Sequence, residues 1–95
     1  MPILQIEHRV RDFDAWKRAF DSDPVGREER GVLRYRISRS VEDPNLVLVD
    51  LEFESSAEAQ VFQAGLRDLW SRVEPEGLIE PPQARIVEEV ESKEY

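Results

Sequence analysis

The side chains best suited to chemistry in this 95-residue chain are His8, Tyr35 and a set of charges at Arg34, Arg36, Asp50 and Glu52. His8 is the sole histidine. Its ordinary pKa, near 6.5, suits general acid–base work. In "LQIEHRV" it alternates with Leu4, Ile6 and Val10, so it shares their apolar face. Two readings stand there: a buried imidazole held by one hydrogen bond, or an imidazole that touches a ligand. Tyr35 could donate its hydroxyl to a substrate oxygen. As plain structure it is core packing with the hydroxyl at an edge.

The four charges lie in "GVLRYRISRSVEDPNLVLVDLEFE", Gly31 to Glu54. One face of this run is Leu33, Tyr35, Ile37, Val47, Val49, Leu51 and Phe53. The other is Arg34, Arg36, Ser38, Leu46, Leu48, Asp50 and Glu52. If Ile37 opposes Val49 and Tyr35 opposes Leu51, Arg36 meets Asp50 and Arg34 meets Glu52. Such exposed cross-strand pairs contribute about 0.2–1 kcal/mol each. Ile3, Val32, Leu46, Leu48 and Val87 share this second side. A sheet face carrying aliphatics among paired charges is rarely left in water. It reads as a surface made to meet another sheet.

The elements that must position these residues follow from periodicity and punctuation. Pro2 to Val10 alternates as a strand. Asp12 is an N-cap, and Phe13, Trp16, Ala19 and Phe20 recur at helical spacing to about Asp21. "DSDPVG" interrupts that helix, because Pro24 disfavours helical dihedrals at Asp23. Val25 to Arg30 can form one more helical turn, ended by Gly31. Strands follow over Val32 to Arg39 and Leu46 to Phe53, with "SVEDPN" as the bend between them. Arg39 precedes that bend and is expected to pair with Glu42 or Asp43. Ser55 and Glu58 fit a capping box. A helix then runs to about Val73, with Phe62, Leu66, Leu69 and Val73 on its core stripe. Gln83 to Glu91 is a last strand, with Ile86 and Val90 on one side. The order β-α-β-β-α-β predicts an α+β, ferredoxin-like fold. Its four-stranded antiparallel sheet has spatial order 4-1-3-2 and two helices on one face.

Composition bounds the rest. Residues 1–95 fit one domain with one core. A net charge of −8 and a pI near 4.6 argue against nucleic acid and anionic membrane surfaces as partners. The chain has no cysteine, which excludes disulfides and thiolate-ligated metals. No apolar run approaches the roughly 20 residues of a membrane span. "MPILQIEHRV" has no basic segment followed by a long apolar one, so no signal peptide is expected and the expected location is the cytoplasm.

Several stretches resemble the dimeric α/β-barrel superfamily near its antibiotic-biosynthesis-monooxygenase-like (ABM-like) members. They are "HRVRDFDAWKRAFDSD" (8–23), "GVLRYRISRSVEDPNLVLVDLEFES" (31–55), "AEAQVFQAGLRDLW" (57–70) and "PPQARIVEEVE" (81–91). The resemblance covers nearly the whole chain. It implies a homodimer whose two sheets close face to face into a barrel, with Arg34, Arg36, Asp50 and Glu52 lining the interior. It also implies a pocket between helices and sheet, bordered by His8, Trp16, Phe20, Tyr35, Arg39, Phe53, Phe62, Leu66 and Trp70. A small aromatic or apolar ligand would bind there. The haem-degrading relatives place an iron-ligating histidine on the second helix. Ser56 to Val73 has none, so no haem, metal or other cofactor is expected.

Three functions fit these residues. One is a cofactor-independent monooxygenase or cyclase acting on an aromatic or polyketide-like molecule, which would need an apolar cavity and one or two polar groups to stabilise a substrate enolate. The second is a non-catalytic ligand-binding dimer. The third is a structural or accessory dimer with a filled pocket. A cavity of at least about 300 Å³ beside His8 and Tyr35 would favour the first two.

Overall fold

The structure is a computed structural model that describes residues 1–22, 26–77 and 82–95, with 70–77 described by backbone alone. Six elements follow in order: β1 (Pro2–Arg9), α1 (Phe13–Asp21), β2 (Arg34–Arg39), β3 (Leu46–Glu52), α2 (Ser56–Gly77) and β4 (Gln83–Glu88). The sheet order is β2-β3-β1-β4, the expected 4-1-3-2, and every neighbouring pair is antiparallel. The fold is ferredoxin-like α+β. No described helix is long and apolar enough to cross a membrane.

Alternation on β1 and β3 buries one side of the sheet. Leu4, Ile6, Val47, Val49, Leu51 and Phe53 pack there against Ala59, Phe62 and Leu66 of α2. Phe13, Trp16 and Phe20 of α1 reach the same core but remain half-exposed, and no residue of α1 is fully buried. The helix caps are as expected. Asp12 accepts from the amides of Asp14 (3.0 Å) and Ala15 (3.4 Å). Ser55 Oγ accepts from the Glu58 amide at 3.3 Å and donates to Glu58 Oε1 at 3.1 Å.

The segment before β2 departs from expectation. Val32 was expected on the open side and Leu33 in the core. Val32 is instead a core residue and Leu33 is half-exposed. The cause is a helix-type stop. The Gly31 amide bonds the Glu28 carbonyl (3.2 Å), and the Val32 amide bonds the Arg27 carbonyl (3.0 Å). Those two bonds, with Gly31 at φ +100, make a Schellman motif, which turns the residue after the glycine inward. Strand alternation starts only at Arg34.

Two boundaries differ as well. Helix α2 continues through Pro75 to Gly77, beyond the expected Val73. Proline forfeits one amide bond, yet its fixed φ is itself helical. Strand β4 stops at Glu88, so Val90 lies off the sheet and is exposed. The expected break at Asp23 and Pro24 and the start of the turn at Val25 lie outside the described residues, as does the side chain of Val73.

Candidate functional site

The register arranges the helix-facing side of the sheet as three rows. Tyr35, Leu51, Leu4 and Ile86 form the first, and Ile37, Val49, Ile6 and Ala84 the second. The third is Arg39, Val47 and His8. Both basic side chains on this side of the sheet therefore fall in one row, at the end where β1 runs into α1.

His8 is 6% exposed, and its Nε2 is buried without a hydrogen-bond partner. Ile6 and Val10 flank it in sequence, and Val47 flanks it across the ladder. Burial strips water from the imidazolium and lowers the pKa to about 4. The ring is thus neutral at physiological pH. An unpaired buried polar atom costs about 1–3 kcal/mol, and native proteins keep few of them.

Arg39 does not pair as expected. Asp43 instead forms an ion pair with Arg9 and receives the Asn45 amide on Oδ1 at 3.1 Å. The amides of Glu42 and Asp43 both bond Ser40 Oγ at 3.2 Å. The bend is therefore closed within itself and tied to β1, where the Val10 amide also bonds the Asn45 carbonyl at 2.8 Å. The Arg39 guanidinium lies over the ring of Phe13, 4.5 Å from its centroid. Sequence reasoning missed this contact. The signal was the odd numbering that Arg39 shares with Tyr35 and Ile37, which puts it on the helix side.

A row of aromatic rings continues from Phe13. Phe13 to Trp16 is 5.8 Å between centroids, Trp16 to Phe20 is 5.2 Å, and Phe20 to Tyr35 is 5.1 Å edge to face. Arg27 closes the far end, 3.8 Å over Phe20 and 5.2 Å from Tyr35, with its Nη1 donating to the Phe20 carbonyl at 2.7 Å. Tyr35 and His8 are diagonal corners of the sheet grid, two strands and two rows apart. Strand geometry separates their backbones by about 16 Å.

The other sequence-derived candidates divide. Trp16 lies inside the aromatic row. Phe53, Phe62 and Leu66 are buried core, with the Phe53 and Phe62 rings 5.5 Å apart. The Phe53 amide bonds the Pro2 carbonyl, at the end of β1 away from His8. The side chain of Trp70 lies outside the described residues. A cavity of about 370 Å³ is lined by Pro2, Glu54, Ser55, Ser56, Ile86, Val87 and Glu88. It too lies at the Pro2 end, roughly 20 Å along β1 from His8.

On the open side of the sheet the expected register holds: Arg34 opposes Glu52 and Arg36 opposes Asp50. Arg34 Nε reaches Glu52 Oε2 at 2.8 Å. Ile3, Leu46 and Val87 are half-buried on this side and Leu48 is exposed.

No family model matches the sequence, and no curated protein does. The fold matches that of a candidate antibiotic biosynthesis monooxygenase from Nitrosomonas europaea, with a TM-score of 0.71, 18% identity, and coverage of 96% of this chain and 100% of that one. It also matches a dimeric ferredoxin-like protein from an uncultured marine organism, with a TM-score of 0.57, 15% identity, and coverage of 90% and 89%. The resemblance to ABM-like ferredoxin folds read from the sequence is therefore met at the level of fold.

Proposed function

We propose that this chain is a homodimeric α/β-barrel protein that takes a small aromatic or polyketide-like molecule between its helices and sheet. There it acts as a cofactor-independent monooxygenase or cyclase. The observation that carries this reading is His8 Nε2, a buried nitrogen with no partner on the helix-facing side of the sheet. A substrate oxygen supplies the missing hydrogen bond. Because the imidazole is neutral near pH 7, His8 serves as a hydrogen-bond partner to a hydroxyl or carbonyl, not as a store of positive charge. Surrounding aliphatics strengthen that bond by excluding water. In such chemistry the substrate supplies the electrons.

Charge supports the homodimer. The chain carries −8 overall, yet the open sheet face is close to balanced. Arg9, Arg34, Arg36 and Arg85 stand there against Glu7, Asp50 and Glu52, among Ile3, Leu46, Leu48 and Val87. Two copies can meet through that face without the repulsion the rest of the surface would impose.

A second reading, a dimer that binds a ligand without turning it over or that is purely structural, is favoured by one observation. Phe53, Phe62 and Leu66 are packed as core, and the described cavity lies away from His8. The test is dioxygen uptake and product mass with a panel of hydroxylated naphthalenes and anthrones. Turnover that His8→Phe abolishes supports the first reading. Tight binding with neither uptake nor a new product transfers support to the second. Neither binding nor uptake across the panel overturns the small-molecule role.

A further inference from the structure

We infer that α1 is a lid, which undocks from the sheet as one piece while the rest of the fold stays closed, and that Arg27 is its latch. The inference goes beyond the small-molecule reading above and holds whether or not that reading does.

The first ground is how unequally the two helices are held. Helix α2 buries Ala59, Phe62 and Leu66, and its Gln63 Nε2 donates to the Ala84 carbonyl of β4 at 3.3 Å. Helix α1 buries none of its nine residues. Its apolar stripe of Phe13, Trp16 and Phe20 is only half-buried against the core. The free energy of a local opening rises with the apolar area it exposes, so α1 lifts more readily than α2. The stripe also moves together. Phe13 meets Trp16 at 5.8 Å and Trp16 meets Phe20 at 5.2 Å, so no ring leaves the core without stripping its neighbour.

The second ground is the pair of ends. Val10 is buried, and its amide bonds the Asn45 carbonyl at 2.8 Å, so the chain is fixed up to that residue. Arg11 and Asp12 follow, both exposed, with Asp12 extended at φ −145 and ψ 112. These two residues are the hinge. At the far end Phe20 meets Tyr35 of the edge strand β2. Arg27 lies over both rings, 3.8 Å from the Phe20 centroid and 5.2 Å from that of Tyr35, and its Nη1 donates to the Phe20 carbonyl at 2.7 Å. That carbonyl belongs to the last turn of α1, where a cation is favoured. The backbone of Arg27 is itself tied to the core, because its carbonyl accepts from the amide of buried Val32 at 3.0 Å. Arg27 therefore joins a fixed turn to a weakly seated helix.

The experiment is residue-resolved amide hydrogen exchange of the full chain by NMR, in increasing urea below the unfolding transition. A nine-residue helix is too short to protect its amides once undocked, so each opening is read as exchange. In wild type the amides of Trp16 to Asp21 are expected to share one protection factor, about a hundredfold below those of Val47, Val49 and Leu51. Their urea slope is above zero and smaller than that of β3, because undocking exposes part of the surface that unfolding exposes. Val49→Ala weakens the core beneath an unchanged lid. It lowers β3 protection and leaves α1 protection as it was. Arg27→Gln lowers α1 protection about fivefold and β3 protection by the same factor, since the latch stabilises the closed state against both openings. Equal protection of α1 and β3 in wild type overturns the lid, and so does α1 protection that falls with β3 in Val49→Ala. Protection graded residue by residue with no urea slope is end fraying and overturns it too. Unchanged α1 protection in Arg27→Gln overturns the latch. The wild-type comparison needs no variant, so it decides the lid even if Val49→Ala does not fold.

Discussion

Gly31 sits directly against the carboxylate of Glu58: a Cβ on the glycine would come within 2.5 Å of Oε2. One residue thus closes the turn before β2 and leaves room for the carboxylate that caps α2. Gly31→Ala meets two penalties, a left-handed backbone at φ +100 and the crowded carboxylate. The backbone term costs about 1–2 kcal/mol. Urea denaturation should show that loss, and Gly31→Ala made in a Glu58→Ala background should lose less, by the steric part alone. An unchanged midpoint for Gly31→Ala would rule out the Schellman geometry.

His8 makes stability depend on pH in a defined window. Its pKa falls from 6.5 to about 4 on folding. Between those values the unfolded chain takes up a proton that the folded chain refuses. Stability is fully present above about pH 6.5 and declines as pH falls toward 4, by roughly 3 kcal/mol in total. His8→Phe removes this titration and leaves the carboxylates as they are. The difference in unfolding free energy between wild type and His8→Phe should therefore shift with pH across that window. A flat difference would mean that the imidazole is solvated in the folded protein.

Arg36→Asp places two acids opposite each other, because Asp50 is its cross-strand partner. If this face is the dimer interface, the change weakens association by several kcal/mol where the pair is fully buried. Asp50→Arg in the same chain restores part of it. Sedimentation equilibrium reads both effects, and a wild-type monomer at micromolar concentration would remove the interface.

Phe53 is fully buried and meets the Phe62 ring at 5.5 Å. Phe53→Ala should cost about 3–5 kcal/mol. A ligand-lining phenylalanine beside an existing cavity would lose far less. Chemical denaturation separates the two: a loss under about 1 kcal/mol would return Phe53 to the list of ligand contacts.

The fold was legible because the sheet writes itself into sequence at period two, and the register of β2 on β3 followed from matching apolar positions. Val32 and Leu33 were misread for a local reason. A helical turn with a glycine stop intrudes on the alternation, and Gly31 alone cannot reveal which neighbour it turns inward. The candidate site was legible residue by residue but not as a set. His8 and Tyr35 each face the helices, as read. Their separation depends on which strand lies between them and on the offset along it. Arg39 escaped because nearby acids in sequence suggested a local ion pair, whereas Asp43 crosses to Arg9 on another strand.

The closed bend over 40–45 also sets an order of events. Pairing β2 with β3 closes a short loop, while β1 reaches β3 only across the whole α1 segment and β4 only across α2 as well. Loop-closure entropy and sequence separation therefore make the β2–β3 hairpin the natural nucleus of folding. Ser40 and Asp43, whose side chains organise its turn, then act on the rate at which the chain folds. Substitutions in β4, an edge strand joined last, act instead on the rate at which it comes apart.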